Sequence, residues 1–195
     1  MKKVRVIGIS GNVKAPSRTS ALVGSILGSI EKQIDAEVRQ IDLLDAAPIL
    51  FKALRSDQLD EAGQEIVRAV ETADALVVGT PVYRASYSGA LKHLFDLVHF
   101  EALIGRPVIL AATGGTPLHG LMTEHQLRPL FGFFKAITLP TAIYALEADF
   151  ESHRLVNADI ARRIGLAVRE LEVVLPASRQ LVSTNHSTDR PRLSA

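Results

Sequence analysis

Three short segments of the chain consist almost entirely of apolar residues, and this feature constrains the fold more than any other. They span residues 4–9, 75–79 and 107–112, and a stretch with helical spacing of its apolar positions follows each of them. A strand that is apolar on both faces is typical of the middle of a parallel sheet that is covered by helices on both sides. The sequence therefore predicts a layered α/β domain.

Weaker patterns complete an alternating series of strands and helices. Further strands are predicted over residues 38–43 and 138–145, and a loop is predicted around Pro48. Amphipathic spacing predicts helices over residues 20–32, 57–72, 88–98, 118–134 and 157–175. Five units of a strand followed by a helix predict a doubly wound three-layer sandwich with a five-stranded parallel sheet. The strand order 2-1-3-4-5 is one common arrangement of such a sheet. Residues 1–175 would form this domain, and the polar residues 176–195 would form a mobile tail.

The composition narrows the chemistry that such a domain can carry out. The 195 residues include no cysteine, which excludes disulfides, thiolate nucleophiles, iron–sulfur clusters and cysteine-ligated zinc. Redox chemistry would therefore need a bound organic cofactor. The six histidines form no HExxH pair, so we expect no metal site.

Charge and hydropathy argue against two classes of partner. A formal net charge of +1 provides no overall field that would attract nucleic acid or an anionic membrane. The apolar run near the first residue contains Arg5 and meets a turn at once, so we interpret it as a buried strand and not as a signal peptide. No segment approaches the roughly 20 apolar residues of a membrane helix. We expect a cytoplasmic protein that binds neither nucleic acid nor membrane.

The loop that joins the first strand to the first helix, residues 10–20, is rich in hydroxyl groups. It contains Ser10, Ser17, Arg18 and Thr19, and it leads into a helix N terminus, where free backbone N–H groups and the helix dipole favour an anion. It matches neither a P-loop nor a GxGxxG fingerprint, so a terminal monophosphate fits better than a pyrophosphate or a triphosphate. An ordinary capped helix start, with Ser17 or Thr19 as the cap, explains the same residues equally well.

Two more loops follow buried strands and have unusual compositions. Residues 79–89 place Pro81, Tyr83 and Arg84 directly after a strand, where a stiff backbone and an aromatic ring can border a planar ligand. Residues 113–120 contain paired glycines that let backbone N–H groups approach a ligand closely. Each loop alone is also compatible with an ordinary strand-to-helix connection. Because all three loops lie at the carboxyl edge of the predicted sheet, their joint occurrence favours a ligand site.

At these loops the sequence resembles the flavodoxin-like NAD(P)H-dependent FMN reductases. Among them it is similar in particular to the reductase components of two-component alkanesulfonate and methanesulfonate monooxygenase systems. The resemblance extends from about residue 3 to about residue 175, and the second loop is its most specific part. It rests on residues 8–11 (GISG), 17–20 (SRTS), 79–89 (GTPVYRASYSG) with Lys92, and 113–115 (TGG).

The resemblance implies a role in FMN binding for each loop. By this likeness, the FMN phosphate would be held by Ser10, Ser17, Arg18 and Thr19 of the first loop. The isoalloxazine ring and the ribityl chain would be lined by Pro81, Val82, Tyr83 and Arg84 of the second loop. The other edge of the ring would be bordered by Thr113, Gly114 and Gly115 of the third loop. The open face of the ring would admit the nicotinamide of NAD(P)H. Hydride transfer between the two rings is chemistry of the cofactors, so no catalytic side chain is expected.

The resemblance also implies partners. FMN would be both cofactor and substrate, and reduced FMN would pass to a separate FMNH2-dependent monooxygenase in sulfonate sulfur assimilation. Relatives linked to sulfonates can carry a one-residue π-bulge in the fourth helix at a subunit interface. Within residues 121–127 the candidate inserted residue is His125, and a plain surface or interface histidine is the alternative. The apolar helix over residues 118–134 predicts a homodimer or a homotetramer.

The sequence is also compatible with other functions that the same fold carries. A quinone or azo-compound reductase would keep its FMN bound and reduce a different acceptor, and the sequence alone separates it poorly. A flavodoxin-type electron carrier is usually strongly acidic, which a net charge of +1 does not match. A binding module or sensor would not oxidise NAD(P)H when FMN is added.

Overall fold

The computed structural model describes residues 3–187, which form one parallel sheet with helices on both faces. The strands of this sheet are β1 (Val4–Ser10), β2 (Ala36–Asp42), β3 (Ala75–Pro81), β4 (Pro107–Gly114), β5 (Ile137–Thr138) and β6 (Ile143–Leu146). The helices are α1 (Arg18–Gln33), α2 (Leu43–Leu50), α3 (Glu61–Glu71), α4 (Gly89–Leu97), α5 (Arg128–Phe133) and α6 (Ala158–Ser187). A short antiparallel hairpin, β7 (Phe150–Glu151) and β8 (Arg154–Leu155), precedes the last helix.

The strand order is β2-β1-β3-β4 followed by β5 and β6, which both pair with β4 in parallel. This arrangement confirms the predicted order 2-1-3-4-5, with β5 and β6 together occupying the fifth position. The single strand predicted over residues 138–145 is divided, because Pro140 has no N–H group with which to continue the ladder. Pairing resumes at Ile143, opposite Ala111, and ends at Leu146, opposite Gly114.

Two hydrophobic cores lie on opposite faces of the sheet. On one face, α1 and α6 pack against alternate residues of the central strands through Leu22, Val23, Ile26, Leu27, Ile164, Val168 and Leu171. On the other face, the core is completed by residues of α2, α3, α4 and α5. Every residue of β3 is buried. This double coverage is the physical reason why the central strands are apolar at every position.

Two helices contradict the sequence-based expectations. The loop expected around Pro48 is helix α2, which buries Leu43, Ala46, Ala47 and Leu50 in the core, so burial outweighs the local cost of a proline inside a helix. The last helix does not end at Leu175 but continues through Pro176 to Ser187. Beyond that proline, the buried Ser178 hydroxyl donates to the Gly105 carbonyl at 2.7 Å. Residues 188–195 lie outside the described part of the chain, and the mobility of the tail stays a prediction.

The helix predicted over residues 118–134 is divided into three parts. A 3-10 turn (Pro117–His119) and a π-helical turn (Thr123–Leu127) precede α5. The π turn contains His125, so the predicted bulge in this helix is confirmed, while its place at an interface stays a prediction. At the junction of this turn with α5, the Arg128 guanidinium donates to both carboxylate oxygens of Glu124, which lowers the pKa of that carboxyl group. None of the helices within residues 3–187 has both the length and the apolar character that crossing a membrane requires.

Candidate functional site

The carboxyl ends of β1, β3, β4 and β6 border a cleft of about 410 Å³, as expected for a doubly wound sheet. The cleft brings together the three loops that were predicted to form a ligand site. It is lined by Asn12, Lys14, Pro16, Ser17, Arg18, Thr19, Pro81, Val82, Tyr83, Thr113, Gly114, Gly115, Glu147 and His153. Of the eleven predicted site residues, only Ser10 and Arg84 are missing from this lining.

The first loop ends in a capped helix whose N terminus borders the cleft. The hydroxyl of Ser17 accepts a hydrogen bond from the backbone N–H of Ser20 at 3.0 Å, so Ser17 is the N-cap of α1. Thr19 is buried, and its Oγ1 lies 2.6 Å from Oγ1 of Thr113, which joins the first loop to the end of β4. The capping alternative and the anion-binding alternative are therefore compatible, because one helix start serves both purposes.

Ser10 lies at the end of β1 and is completely buried, so it does not line the cleft. Its Oγ has no hydrogen-bond partner among the described residues. The next residue, Gly11, donates its backbone N–H to the Gly79 carbonyl at 2.7 Å, and this bond holds the first loop against β3. A buried hydroxyl without a partner is uncommon and calls for an explanation such as a water molecule or a ligand.

The second loop makes a tight turn at the edge of the cleft. Tyr83 and Ser86 exchange two backbone hydrogen bonds of 2.8 and 3.1 Å, and the two residues between them, Arg84 and Ala85, have φ values of 50° and 64°. Positive φ at two successive non-glycine residues is strained and marks a closely specified turn. The hydroxyl of Tyr83 donates to Oδ1 of Asn12 at 3.2 Å, which joins the second loop to the first. Arg84, within this turn, is exposed to solvent and does not line the cleft.

The third loop depends on a glycine for close packing against Tyr144. A Cβ atom on Gly114 would lie 1.9 Å from the Tyr144 hydroxyl, whereas one on Gly115 would meet nothing within 4 Å. That hydroxyl donates to the Thr116 carbonyl at 2.7 Å, and its burial raises the pKa of Tyr144. Tyr144 therefore stays protonated and fixes the loop, while the backbone at Gly115 is open to the cleft.

Five lining residues were not among the predicted site residues. Asn12, Lys14 and Pro16 belong to the first loop itself, whereas Glu147 and His153 follow the last strand of the sheet. The same rule that placed the other loops at the carboxyl edge applies to the end of β6, and applying it there would have indicated Glu147. His153 depends on the turn of the β7–β8 hairpin, where Ser152 and His153 have φ values of 47° and 63°, and no local pattern indicated this hairpin.

The charges around the cleft suit an anionic ligand. Lys14 and Arg18 provide two cationic groups beside the N terminus of α1, and His153 adds a third group that is cationic when protonated. Glu147 opposes them, because its Oε1 forms an ion pair with Nη1 of Arg18. A phosphate monoester fits the cationic end of this cleft. The other end is formed by residues 81–83 and 113–115, whose backbones are joined by the hydrogen bond from the Val82 N–H to the Thr113 carbonyl.

Comparisons with known proteins agree with this arrangement. The model of a family described as NADPH-dependent FMN reductase matches residues 4–151. The "FMN reductase (NADPH)" of Pseudomonas aeruginosa is 47% identical over 163 residues, which are 84% of this chain and 88% of that protein. The "NADH-dependent FMN reductase SfnF" of Pseudomonas fluorescens is 45% identical over 166 residues, or 85% of this chain and 89% of that protein.

Solved structures show the same architecture. An oxidoreductase from Corynebacterium diphtheriae superposes with a TM-score of 0.79 at 31% identity, covering 90% of this chain and 98% of that one. The apo form of an NADH:FMN oxidoreductase superposes with a TM-score of 0.78 at 27% identity, covering 90% of both chains. These structures share the doubly wound fold of this chain.

Proposed function

The chain belongs to the NADPH-dependent FMN reductase family, and on this premise we propose that it supplies reduced FMN to a partner monooxygenase in sulfonate sulfur assimilation. The predicted family, the oxidoreductase class and the use of FMN with NAD(P)H are confirmed by the family match and by the curated relatives. The partner, the preferred nicotinamide and the roles of individual site residues belong to the proposal.

The residues at the cationic end of the cleft fit the phosphate of FMN. Ser17 is the N-cap of α1, and Arg18 and Thr19 are its first two residues. Backbone N–H groups, hydroxyls and a guanidinium therefore lie together at the same end of the cleft. We assign Ser10 to the same group because its hydroxyl lacks a partner beside this loop, and since that hydroxyl is buried outside the cleft lining, this role requires the first loop to shift when FMN binds. Together these donors suit a terminal phosphate monoester.

The remaining predicted residues fit the ring and the ribityl chain. Pro81 and Val82 present a stiff wall, because the Val82 N–H already donates to the Thr113 carbonyl at 2.9 Å. Beside this wall, at the end of β4, the backbone of Gly114 and Gly115 can approach the ring edge without steric hindrance from a side chain. Arg84 is exposed and does not line the cleft, so its predicted contact with the ring or the ribityl chain requires its side chain to turn towards the bound FMN.

When bound, FMN supplies the hydride-accepting ring, so the chain needs no acid, base or nucleophile for this step. The task of the chain is to hold the phosphate, orient the ring and leave one ring face accessible to the nicotinamide. Tyr83 is the only tyrosine or phenylalanine that lines the cleft among residues 3–187, and Tyr144 is turned to the Thr116 carbonyl. An open ring face suits an enzyme that binds a nicotinamide and then releases its flavin.

The observation that carries this function is the convergence of all three loops on one cleft beside the N terminus of α1. The direct test is steady-state oxidation of NADH and of NADPH, with and without added free FMN. We expect oxidation that depends on free FMN and saturates with it. Adding a purified FMNH2-dependent sulfonate monooxygenase should then yield product without any other reductase. Turnover that ignores added FMN would contradict the proposal.

Weak retention of FMN follows from the open ring face. We expect the purified protein to be largely colourless, or to lose its FMN on dialysis, with a dissociation constant near micromolar, which corresponds to roughly 8 kcal/mol of binding. Equilibrium dialysis with absorbance detection of FMN measures this directly.

A protein that stays yellow with stoichiometric FMN through extensive dialysis would favour the alternative, a quinone or azo-compound reductase. One observation favours that alternative: the "FMN-dependent NADPH-azoreductase" of Staphylococcus haemolyticus is 29% identical over 149 residues. Reduction of a quinone or azo dye at a rate above that of free FMN would support it further.

The surface around the π turn predicts self-association. Leu118, Leu121 and Phe133 are large apolar residues that are 88%, 64% and 68% exposed. Large apolar side chains exposed along this irregular segment favour an interface between subunits. We expect a homodimer or a homotetramer at micromolar concentration by light scattering, and we expect L121E to shift it towards the monomer. L54E, at an exposed leucine after α2, is the matched control. A monomeric wild-type protein would contradict this prediction.

A further inference from the structure

Glu147 is an unexpected component of the cleft, because it places a carboxylate where the ligand is expected to be anionic. It is the first residue of the 3-10 turn (Glu147–Asp149) that follows β6. Its Oε1 forms an ion pair with Nη1 of Arg18, and both residues line the cleft. Arg18 is the guanidinium that the proposed function assigns to the FMN phosphate.

The backbone that carries Glu147 is held firmly in place. The side chain of the buried Asp149 accepts from the backbone N–H of Leu146 at 2.7 Å and from Nδ2 of Asn157 at 2.5 Å. The Asp149 carbonyl accepts from the N–H of Val156 at 2.9 Å, which closes the segment that contains the β7–β8 hairpin. Glu147 therefore follows directly on a strand end and precedes a fixed residue of the same turn, and this backbone position places Glu147 in the lining of the cleft.

The ion pair itself is weak, because it is exposed to solvent. The side chain of Glu147 is 76% exposed and that of Arg18 is 37% exposed. Exposed pairs of this kind contribute little to stability, so a phosphate can displace the carboxylate from the guanidinium. After displacement, however, the carboxylate and a phosphate of charge about −1.5 to −2 remain neighbours and repel each other.

We propose that Glu147 weakens the binding of FMN by competing with its phosphate for Arg18, and that it thereby promotes release of the flavin. This inference rests on the proposed role of Arg18 at the FMN phosphate. Glu147 acts in this way on flavins that carry a phosphate and has no such effect on riboflavin. It is a specificity-determining residue for the flavin and takes no part in the transfer of the hydride.

The inference is tested by titrating wild type and E147Q with FMN and with riboflavin. The glutamine keeps the size of the side chain and removes the charge. We expect E147Q to lower the Kd for FMN by about three- to tenfold, since one charge repulsion near the surface is removed. The dissociation rate of FMN should fall in parallel, whereas the Kd for riboflavin should stay unchanged. The difference between wild type and E147Q should shrink as salt rises.

A matched control separates the local effect from a general change in net charge. Glu151 is an exposed glutamate of β7 that does not line the cleft, so E151Q changes the net charge equally. We expect E151Q to bind both flavins as wild type does. Melting temperatures of the three proteins show that each is folded at the temperature of the titration.

R18A distinguishes failure of the inference from failure of the proposed phosphate site. In one outcome, R18A lowers the affinity for FMN and leaves that for riboflavin unchanged, while E147Q binds FMN with the same affinity as E151Q. That result would support the phosphate site and refute the proposed role of Glu147. Weaker FMN binding by E147Q would also overturn the inference, since it would make Glu147 a positioning residue for Arg18. Tighter binding of both flavins would mean that Glu147 acts on the ring. If R18A leaves FMN binding unchanged, the phosphate site and the inference fall together.

Discussion

Replacing Arg18 with alanine is expected to weaken FMN binding by about tenfold or more, while riboflavin binding stays unchanged. Arg18 is the first residue of α1 and lies in the cleft wall beside Ser17 and Thr19. A charge-assisted hydrogen bond from a guanidinium to a phosphate is worth about 1.5–3 kcal/mol, and riboflavin has no phosphate to receive it. Fluorescence titration of both flavins measures the two affinities in one buffer.

The matched control for this change is R162A. Arg162 is an exposed arginine of α6 that pairs with Asp159 and does not line the cleft, so its removal changes the net charge equally. We expect R162A to bind both flavins as wild type does. An equal loss of affinity for FMN and riboflavin in R18A would contradict the assignment of the first loop to the phosphate.

Truncating Phe131 to alanine is expected to lower the free energy of unfolding by about 3–5 kcal/mol, as for other fully buried aromatic residues. Phe131 has no exposed surface, and its ring packs edge to face on Phe95 at a centroid distance of 4.9 Å and an interplanar angle of 84°. It anchors α5, and with it the π turn, to the core. Alanine would leave a cavity that the surrounding strands and helices fill only in part.

Denaturant unfolding at one fixed protein concentration measures this loss, because association would otherwise shift the apparent stability. The matched control is F100A, since Phe100 is 57% exposed and contacts only the ring of His99 among the aromatic residues described in residues 3–187. We expect F100A to change the free energy of unfolding by no more than about 0.5 kcal/mol. Similar midpoints for F131A and F100A would show that α5 is not anchored as described.

The central sheet was predictable because its signal is local. Each of β1, β3 and β4 is a short run of apolar residues that ends at glycine, proline or hydroxyl residues. Such runs bury both faces, and only a parallel sheet covered by helices on both sides accommodates several of them in one small domain. Helix α2 breaks this pattern, because the local cost of Pro48 is outweighed when Leu43 and Leu50 pack into a core formed by segments distant in the sequence. The end of α6 also continues past a proline, Pro176, and there Ser178 bonds to the Gly105 carbonyl.

The candidate site was predictable to the extent that the topology determines which loops meet. The rule for strand ends in open sheets brought Arg18, Tyr83 and Gly115 to one edge, and the cleft contains all three. It did not distinguish residues that face the cleft from those beside it. Ser10 is buried at its strand end, and the strained turn exposes Arg84 outside the lining.

The sequence alone determined the layers and the three loops, because periodicity and turn chemistry are properties of neighbouring residues. The order 2-1-3-4-5 was one common arrangement for such a chain, and the pairing of the strands decided it. The tertiary structure alone decided which side chains meet across the cleft. Glu147 reaches Arg18 only because β6 pairs with β4 and ends opposite Gly114, and because Asp149 fixes the turn that follows. Contacts of this kind depend on register, turn geometry and packing between distant segments, and no local pattern of residues carries that information.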